Sequence, residues 1–286
     1  MPQETTYCLG HTKLAALQWL SGKDDAQPIL LLHGWLDNAA SFCHLAPNFK
    51  EYDVTALDLA GHGRSQHRPP GSFYHMWDYA LDVISLLQQS QQPVWLMGHS
   101  MGGGVAMLVA ALAPEKVRGL IVLDSLGPAT AQPHERVKTM RRAIQKMLKQ
   151  RAARSAQYTT QAALIEARMQ GFTKLSYAAA KPLVERGADC VGGEWSWRAD
   201  QKLSYPSPFR MDDAAVTAYI DEIQCPTLLL LAKQGIFQNA LQEVQQSVAA
   251  FKGLTLEWLP GNHHFHLEPD TSLQVAQEIR QFIDQN

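Results

Sequence analysis

The pentapeptide Gly98-His99-Ser100-Met101-Gly102 constrains the fold of this chain more than any other segment. It matches the pattern G-x-S-x-G and lies between an apolar, β-prone run at residues 93–97 and an alanine- and leucine-rich run at residues 105–113. A strand, a sharp turn and a helix are the context in which this pattern forms a nucleophile elbow. The two glycines leave room for a strained turn that larger side chains would block. The sequence therefore predicts that Ser100 stands between a buried strand and a helix.

Segments of strand and helix character alternate on both sides of this turn. Such alternation is typical of βαβ units, which build a parallel sheet covered by helices on both faces. The predicted strands are residues 29–32, 54–57, 93–97, 117–123, 227–231 and 255–259. The predicted helices are residues 41–50, 77–89, 101–113, 239–250 and 272–283. Residues 7–20, with Gly10-His11 in the middle, predict a hairpin at the edge of the sheet.

The alternation disappears between Gly127 and about Arg210. Helical stretches at residues 135–151, 161–170 and 177–186 precede an irregular segment that contains Gly, Trp and Pro. We expect a core made of residues 1–126 and 211–286, with residues 127–210 inserted as a helical cap. Ligands bind outside the carboxyl ends of the strands in open α/β sheets, so an insertion after the 117–123 strand would cover the site.

The composition is that of an ordinary soluble protein. Apolar residues make up 46% and charged residues 18%, and the 25 basic and 27 acidic side chains give no excess that predicts a nucleic-acid partner. The first residues lack the pattern of a signal peptide, and no apolar run approaches the roughly 20 residues of a membrane span. The four cysteines have no C-x-x-C spacing and predict neither a disulfide framework nor a zinc site. We expect a cytoplasmic protein without stable membrane insertion, and its oligomeric state stays open.

Three further motifs, at residues 30–42, 57–65 and 261–269, carry a resemblance when they are taken together with the elbow. This set resembles the capped α/β hydrolases, and most closely the serine hydrolase-like proteins, over nearly the whole chain. The resemblance implies an α/β fold with a mostly parallel, doubly wound sheet of the α/β-hydrolase type and an inserted helical cap. It also implies a constellation of serine, histidine and acid in which Ser100 is the nucleophile.

The resemblance also implies the base. The histidine of α/β hydrolases follows the last strand, where this sequence has three candidates: His263, His264 and His266. Asn262-His263, followed by Glu268-Pro269, resembles the Gly-His ending that is common in the superfamily. His263 is therefore the predicted base, and the other two histidines are expected to support it or to lie at the entry of the last helix.

The oxyanion hole is implied by His33-Gly34-Trp35, which resembles the His-Gly-X motif of the family. The backbone N–H groups of Trp35 and Met101 are the expected donors, and the bulk of the Trp35 side chain would form a wall of the pocket. His33 and His99 are expected to act through packing and hydrogen bonding.

The acid is the point at which this sequence departs from the family pattern. Most members carry an aspartate in the turn after the strand that corresponds to residues 227–231, but here that turn reads Ala-Lys-Gln-Gly-Ile. Asp124 follows the preceding strand of the sheet, and its position resembles that of the acid in haloalkane dehalogenases. Asp124 is therefore the predicted acid. The remaining candidates are Asp37, Asp58, Asp212 and Asp213, of which Asp58 is better suited to brace the Gly61-His62-Gly63 loop.

These residues predict a serine hydrolase that cleaves carboxylic esters through an acyl-enzyme on Ser100. A small ester or acyl compound is the expected substrate, and no cofactor is required. Two alternatives stay open: a C–C bond hydrolase with the same three residues, and a catalytically silent ligand-binding protein, which the missing acid at Gly235 suggests. A metal site at the His263-His264-His266 cluster is not expected, because no carboxylate or cysteine nearby in the sequence completes it.

One cap segment is strongly basic. Residues 135–154 contain eight Lys or Arg against one Glu, with apolar residues at helical spacing. This pattern predicts a solvated outer face of the cap, and the alternative is attraction to an anionic substrate or a membrane surface.

Overall fold

The computed structural model describes residues 2–149 and 156–286, whose main element is an eight-stranded sheet with the order β1-β2-β4-β3-β5-β6-β9-β10. The strands β3 to β6, β9 and β10 run parallel, while β1 and β2 form an antiparallel hairpin that joins β4 at one edge. The α/β class and the mostly parallel sheet are thus confirmed. The strands of this sheet are β1 Gln3–Cys8, β2 Lys13–Trp19, β3 Pro28–Leu32, β4 Asp53–Leu57, β5 Val94–His99, β6 Val117–Leu123, β9 Thr227–Gln234 and β10 Leu254–Asn262.

Helices cover both faces of this sheet, as its buried central strands require. On one face of the sheet, α1 and α2 pack against buried side chains of β3, β5 and β6. On the other face, α8 packs with Phe42, Leu45 and Phe49. The helices are α1 Met76–Leu87, α2 Met101–Leu112, α3 Arg136–Lys149, α4 Gln161–Met169, α5 Tyr177–Gly187, α6 Asp213–Asp221, α7 Leu241–Ala249 and α8 Pro269–Gln285. Among these described helices, none is both long enough and apolar enough to cross a bilayer.

Two local predictions were wrong, and one helix was missed. The helix predicted at residues 41–50 is instead a pair of short 3-10 turns, Ala39–Phe42 and Ala46–Asn48, because Pro47 lacks the N–H that would continue one helix across the segment. The segment thought irregular contains a hairpin, β7 Ala188–Val191 with β8 Glu194–Trp197, joined by Gly192 and Gly193 at positive φ. Helix α6 was not predicted, although Asp212 caps its first turn by accepting from the Ala215 N–H.

The elements between β6 and α6 supply most of a third hydrophobic cluster, to which Leu267 also belongs. Side chains of α4 and α5, such as Leu164, Ile165 and Leu183, pack together there, whereas Val216 and Ile220 of α6 pack with α2 on the sheet. The end of the predicted 135–151 helix and the basic residues Arg151 and Arg154 lie outside the described residues.

Candidate active site

Ser100 occupies a strained turn between β5 and α2. Its backbone is left-handed, with φ 52° and ψ −118°, a conformation that costs a non-glycine residue about 1–3 kcal/mol. The turn is tight on both sides: a Cβ at Gly98 would lie 2.2 Å from the Gly102 carbonyl oxygen, and one at Gly102 would lie 2.2 Å from the Leu32 oxygen. The Ser100 N–H donates to the Leu123 carbonyl at 3.0 Å, which fastens the turn to the end of β6. The geometry is that of a nucleophile elbow at the carboxyl edge of the sheet.

Asp124 and His263 meet at this edge, although 139 residues separate them in the sequence. His263 Nδ1 lies 2.6 Å from Asp124 Oδ2, and both residues are buried. Asp124 also accepts from the Ala232 N–H at 3.0 Å and from the Ile236 N–H at 3.2 Å. With Nδ1–H donating to the carboxylate, Nε2 of His263 is left without a proton and can act as a base.

Gly235 explains how the Asp124 carboxylate fits beside the turn that follows β9. A Cβ built on Gly235 would lie 2.4 Å from Asp124 Oδ2 and 2.8 Å from Asp124 Cγ. The absence of a side chain at position 235 therefore makes the space that the carboxylate of Asp124 occupies.

His99 and His33 support the surrounding loops. The Nε2–H of His99 donates to the carbonyl oxygen of His263 at 2.8 Å, and the Nδ1–H of His33 donates to the Gly34 oxygen at 2.7 Å. Burial, reinforced by the neighbouring histidines, holds the pKa of His99 well below its usual range. His99 is therefore a neutral donor that fixes the backbone of the predicted base.

The Trp35 N–H lies in the loop after β3, and the Met101 N–H is the first of α2. Among the described residues, no protein acceptor is found for either amide. Leu36, next to Trp35, has a φ of 62°, and the Asp37 N–H donates to the Gly34 oxygen at 3.2 Å, so a tight turn shapes this loop. The Trp35 side chain is half-exposed and donates to the Leu203 oxygen at 3.0 Å.

A second buried carboxylate, Asp37, lies beside His264, the residue that follows His263. Asp37 Oδ2 is 3.0 Å from His264 Nε2, and Asp37 Oδ1 accepts from the Arg168 guanidinium at 2.7 Å. Burial alone would raise the pKa of Asp37, but His264 and Arg168 outweigh it and hold this pKa well below its usual range. Thr173 completes the network at 3.0 Å from His264 Nδ1. Because Arg168 lies on α4, this network joins α4 to the loop that carries His263.

The family whose description is the alpha/beta hydrolase fold matches residues 27–270 of this sequence. The chain belongs to the α/β-hydrolase family.

The individual relatives of this α/β hydrolase agree with that assignment. A serine hydrolase-like protein of Dictyostelium discoideum is 32% identical over 284 residues, which cover 94% of this chain and 78% of that protein. The crystal structure of a hypothetical protein of Pseudomonas aeruginosa is 36% identical, covers 99% of both chains and superposes with a TM-score of 0.92. The lipase LipV of Mycobacterium tuberculosis is 36% identical over 114 residues, or 38% of this chain and 40% of that protein.

Two cavities of the hydrolase meet at Ser100. One, of about 500 Å³, is lined by Ser100 and His263, by residues of α4 and by apolar side chains such as Trp197 and Ile236. The other, of about 700 Å³, is lined by Ser100, Met101, Asp124 and residues of α6 and α7. Ser100 can therefore contact groups that extend in two directions, and both volumes are of the size that small ligands need.

The other predicted acids of the hydrolase have different partners. Asp58 accepts from the Ala39 and Arg64 amides at 2.7 Å and pairs with Arg186, so it braces the loop that contains Gly63. Asp212 caps α6 and pairs with Arg136, and the Asp213 carboxylate accepts from Gln132 at 3.4 Å. Of the described carboxylates, only Asp124 is found within hydrogen-bond distance of His263.

The histidines of the predicted cluster also have different hydrogen-bond partners. His266 Nε2 lies 3.1 Å from Ser41 Oγ, and His264 binds Asp37. One group of potential metal ligands is formed by Asp37, His99 and His264. Arg168 Nη2 lies 3.3 Å from His264 Nε2, so its positive charge opposes the binding of a cation there.

Sequence reasoning missed the role of Arg168 and of the His264–Asp37 contact. Asp37 was only an alternative acid. No local pattern in the predicted 161–170 helix indicates that Arg168 binds a buried carboxylate, because its partner lies 131 residues away in the sequence. Such contacts follow from the packing of α4 against the loops after β3 and β10.

Proposed function

We propose that this protein is a serine hydrolase that cleaves carboxylic esters through an acyl-enzyme on Ser100. The observation that carries the proposal is the 2.6 Å contact between His263 Nδ1 and Asp124, beside a serine held in the left-handed turn of an elbow. Membership of the α/β-hydrolase family and the similarity to a lipase over part of the chain support it.

In the proposed reaction, Ser100 Oγ attacks the carbonyl carbon of the ester while His263 Nε2 takes the hydroxyl proton. The oxyanion accepts hydrogen bonds from the N–H groups of Trp35 and Met101. The C–O bond then breaks, and the alcohol leaves with the proton from His263. A water molecule, deprotonated by His263, releases the acid and restores Ser100. Asp124 stabilises the imidazolium and keeps its Nδ1–H directed at the carboxylate.

We further propose that residues 127–210 form a cap over a core made of residues 1–126 and 211–286. The separate hydrophobic cluster of α4 and α5 supports this division, as does the packing of α6 with α2. A cap at this place would exclude water from the acyl-enzyme and line the 500 Å³ cavity with apolar side chains, which suit an acyl group. The contact of Asp124 with His263 supports an enzyme over a catalytically silent binding protein, the alternative that the missing acid at position 235 suggested.

Labelling with a fluorophosphonate and hydrolysis of p-nitrophenyl esters test the proposal. The wild-type protein is expected to be labelled at Ser100 and to turn over the esters, whereas Ser100→Ala should lose both, with a fall in kcat of at least about 10³-fold. Ser90→Ala, a serine in the loop before β5, is the matched control. A diketone substrate in the same assay distinguishes C–C cleavage. Full ester turnover by a folded Ser100→Ala protein would refute the proposal.

A further inference from the structure

Helix α3 presents three different faces. Its only buried side chain is Ala143, while four large apolar side chains are exposed: Val137 by 69%, Met140 by 42%, Ile144 by 45% and Leu148 by 63%. At about 100° per residue, these four fall within a sector of about 80° that lies beside the face turned to the core. The predicted solvated outer face of the cap therefore carries a continuous apolar stripe, which we call the α3 stripe.

The charge of α3 has one sign. The helix contains six Lys or Arg side chains and no Asp or Glu, in a protein whose formal net charge is −2. Arg136 pairs with Asp212, and Lys146 donates to the Ser204 oxygen. The other four are exposed, and in the part of the chain that the structure describes none of them has a carboxylate within ion-pair distance: Lys138, Arg141, Arg142 and Lys149. They adjoin the α3 stripe on the side away from the core.

Two aromatic side chains extend this surface near the beginning of α3. Trp77 and Phe209 are 40% and 37% exposed, and their ring centroids are 5.9 Å apart. The Arg136 guanidinium lies 5.3 Å from the Phe209 centroid, so the pair adjoins the helix directly. Partly exposed tryptophan next to basic residues is typical of surfaces that rest at the boundary between lipid and water.

We propose that the α3 stripe and its basic neighbours bind the surface of an anionic lipid bilayer. The apolar stripe would enter the boundary between headgroups and acyl chains, while the four free cations contact lipid phosphates. Four positive charges that have no carboxylate within ion-pair distance among the described residues complement anionic lipid, and an apolar stripe of this size would otherwise stay in contact with water. This inference concerns a surface outside the Ser100 site and does not depend on the proposed chemistry.

The test is flotation of the full chain with vesicles of phosphatidylcholine, with or without phosphatidylglycerol. The Ser100→Ala protein serves as the parent so that no lipid can be hydrolysed. It should float with the anionic vesicles, stay in solution with the neutral ones and be released by high salt. Arg141→Gln with Arg142→Gln should weaken binding about 25-fold, since each charge contributes about fivefold. Ile144→Ser with Leu148→Ser should weaken it by at least about tenfold.

The matched control replaces two exposed leucines of other helices, Leu112→Ser with Leu273→Ser, which should bind vesicles like the parent. Circular dichroism verifies that each variant is folded. No binding to anionic vesicles at low salt, equal binding to neutral vesicles, or unchanged binding of the α3 variants would overturn the proposal. Sedimentation without lipid tests whether the α3 stripe binds a second copy of the chain instead. A dimer that Ile144→Ser with Leu148→Ser abolishes would overturn the proposal.

Discussion

The pairing of Asp124 with a glycine at position 235 yields the sharpest prediction. Asp124→Asn should lower kcat by about 10³- to 10⁴-fold, or about 4 to 5.5 kcal/mol of transition-state stabilisation. The carboxylate accepts three hydrogen bonds, from His263 and from the Ala232 and Ile236 amides. An amide group must turn its NH₂ toward at least one of these donors, so the imidazole loses its orientation and a buried donor is left without an acceptor.

Gly235→Ala tests the same contact from the other side. The added Cβ would lie 2.4 Å from Asp124 Oδ2, about 1 Å short of a normal contact. A displacement of about 1 Å at a catalytic group costs about 10²-fold in rate, so Gly235→Ala should lower kcat by about 10²-fold. The φ of Gly235 lies outside the left-handed region, so the backbone itself accepts a side chain and the loss is due to the carboxylate.

The combined variant Asp124→Gly with Gly235→Asp moves the acid to the turn that most of the family uses. Glycine tolerates the φ of 43° at position 124, and removal of the Asp124 carboxylate opens the space that the new side chain needs. The kcat of this double variant should be at least about tenfold higher than that of Asp124→Gly alone, because effects of residues in contact are not additive.

Hydrolysis of p-nitrophenyl butyrate measures kcat, and chemical denaturation shows whether each variant is folded. Asp212→Asn, at an aspartate that caps α6, is the matched control and should retain wild-type kcat. Asp124→Asn with kcat within about threefold of wild type would refute the role of Asp124. Wild-type activity of Gly235→Ala would refute the steric argument.

Two further predictions concern stability. Arg168→Gln should lower the free energy of unfolding by about 1–3 kcal/mol, because buried Asp37 loses a charged donor at 2.7 Å. Urea denaturation measures this loss, with Arg118→Gln, at an exposed arginine, as the control. Equal stability of the two variants would contradict the prediction. Stability should also fall as the pH drops below about 6.5, by about 1.4 kcal/mol per pH unit for each histidine that burial keeps neutral. Burial lowers the pKa of these side chains in the folded state, to about 3 for His62, so the unfolded chain takes up protons first; the stabilisation is complete above the unfolded pKa and is lost toward the folded one. The strongest contributors are His62, His99 and His266. Denaturation at pH 7.5 and pH 5.5 measures how steeply the free energy of unfolding changes with pH, and this slope should decrease in His62→Gln. A free energy of unfolding that does not change between these pH values would contradict the reasoning.

Local patterns in the sequence predicted most of the fold. Apolar runs such as the leucines of β3 and β9 have the length and β-propensity of buried parallel strands, and the glycines beside Ser100 fit only a tight turn. The 3-10 turns at residues 39–48 escaped prediction because their composition resembles that of a helix, and the β7–β8 hairpin escaped although its Gly192-Gly193 turn is a local signal.

The elbow could be predicted from the amino-acid sequence alone, because the strand, the strained serine and the helix are consecutive and their signals are local. The sequence also named Asp124 and His263, but only through a resemblance to a family pattern. The tertiary structure decided that these two side chains touch, since parallel strands bring the ends of β6 and β10 to one edge although 139 residues lie between them. It alone showed that Gly235 makes room for the carboxylate, and that Arg168 and Asp37 join α4 to the loop that carries His263. Contacts of this kind depend on the distance between side chains in space, which no local pattern encodes.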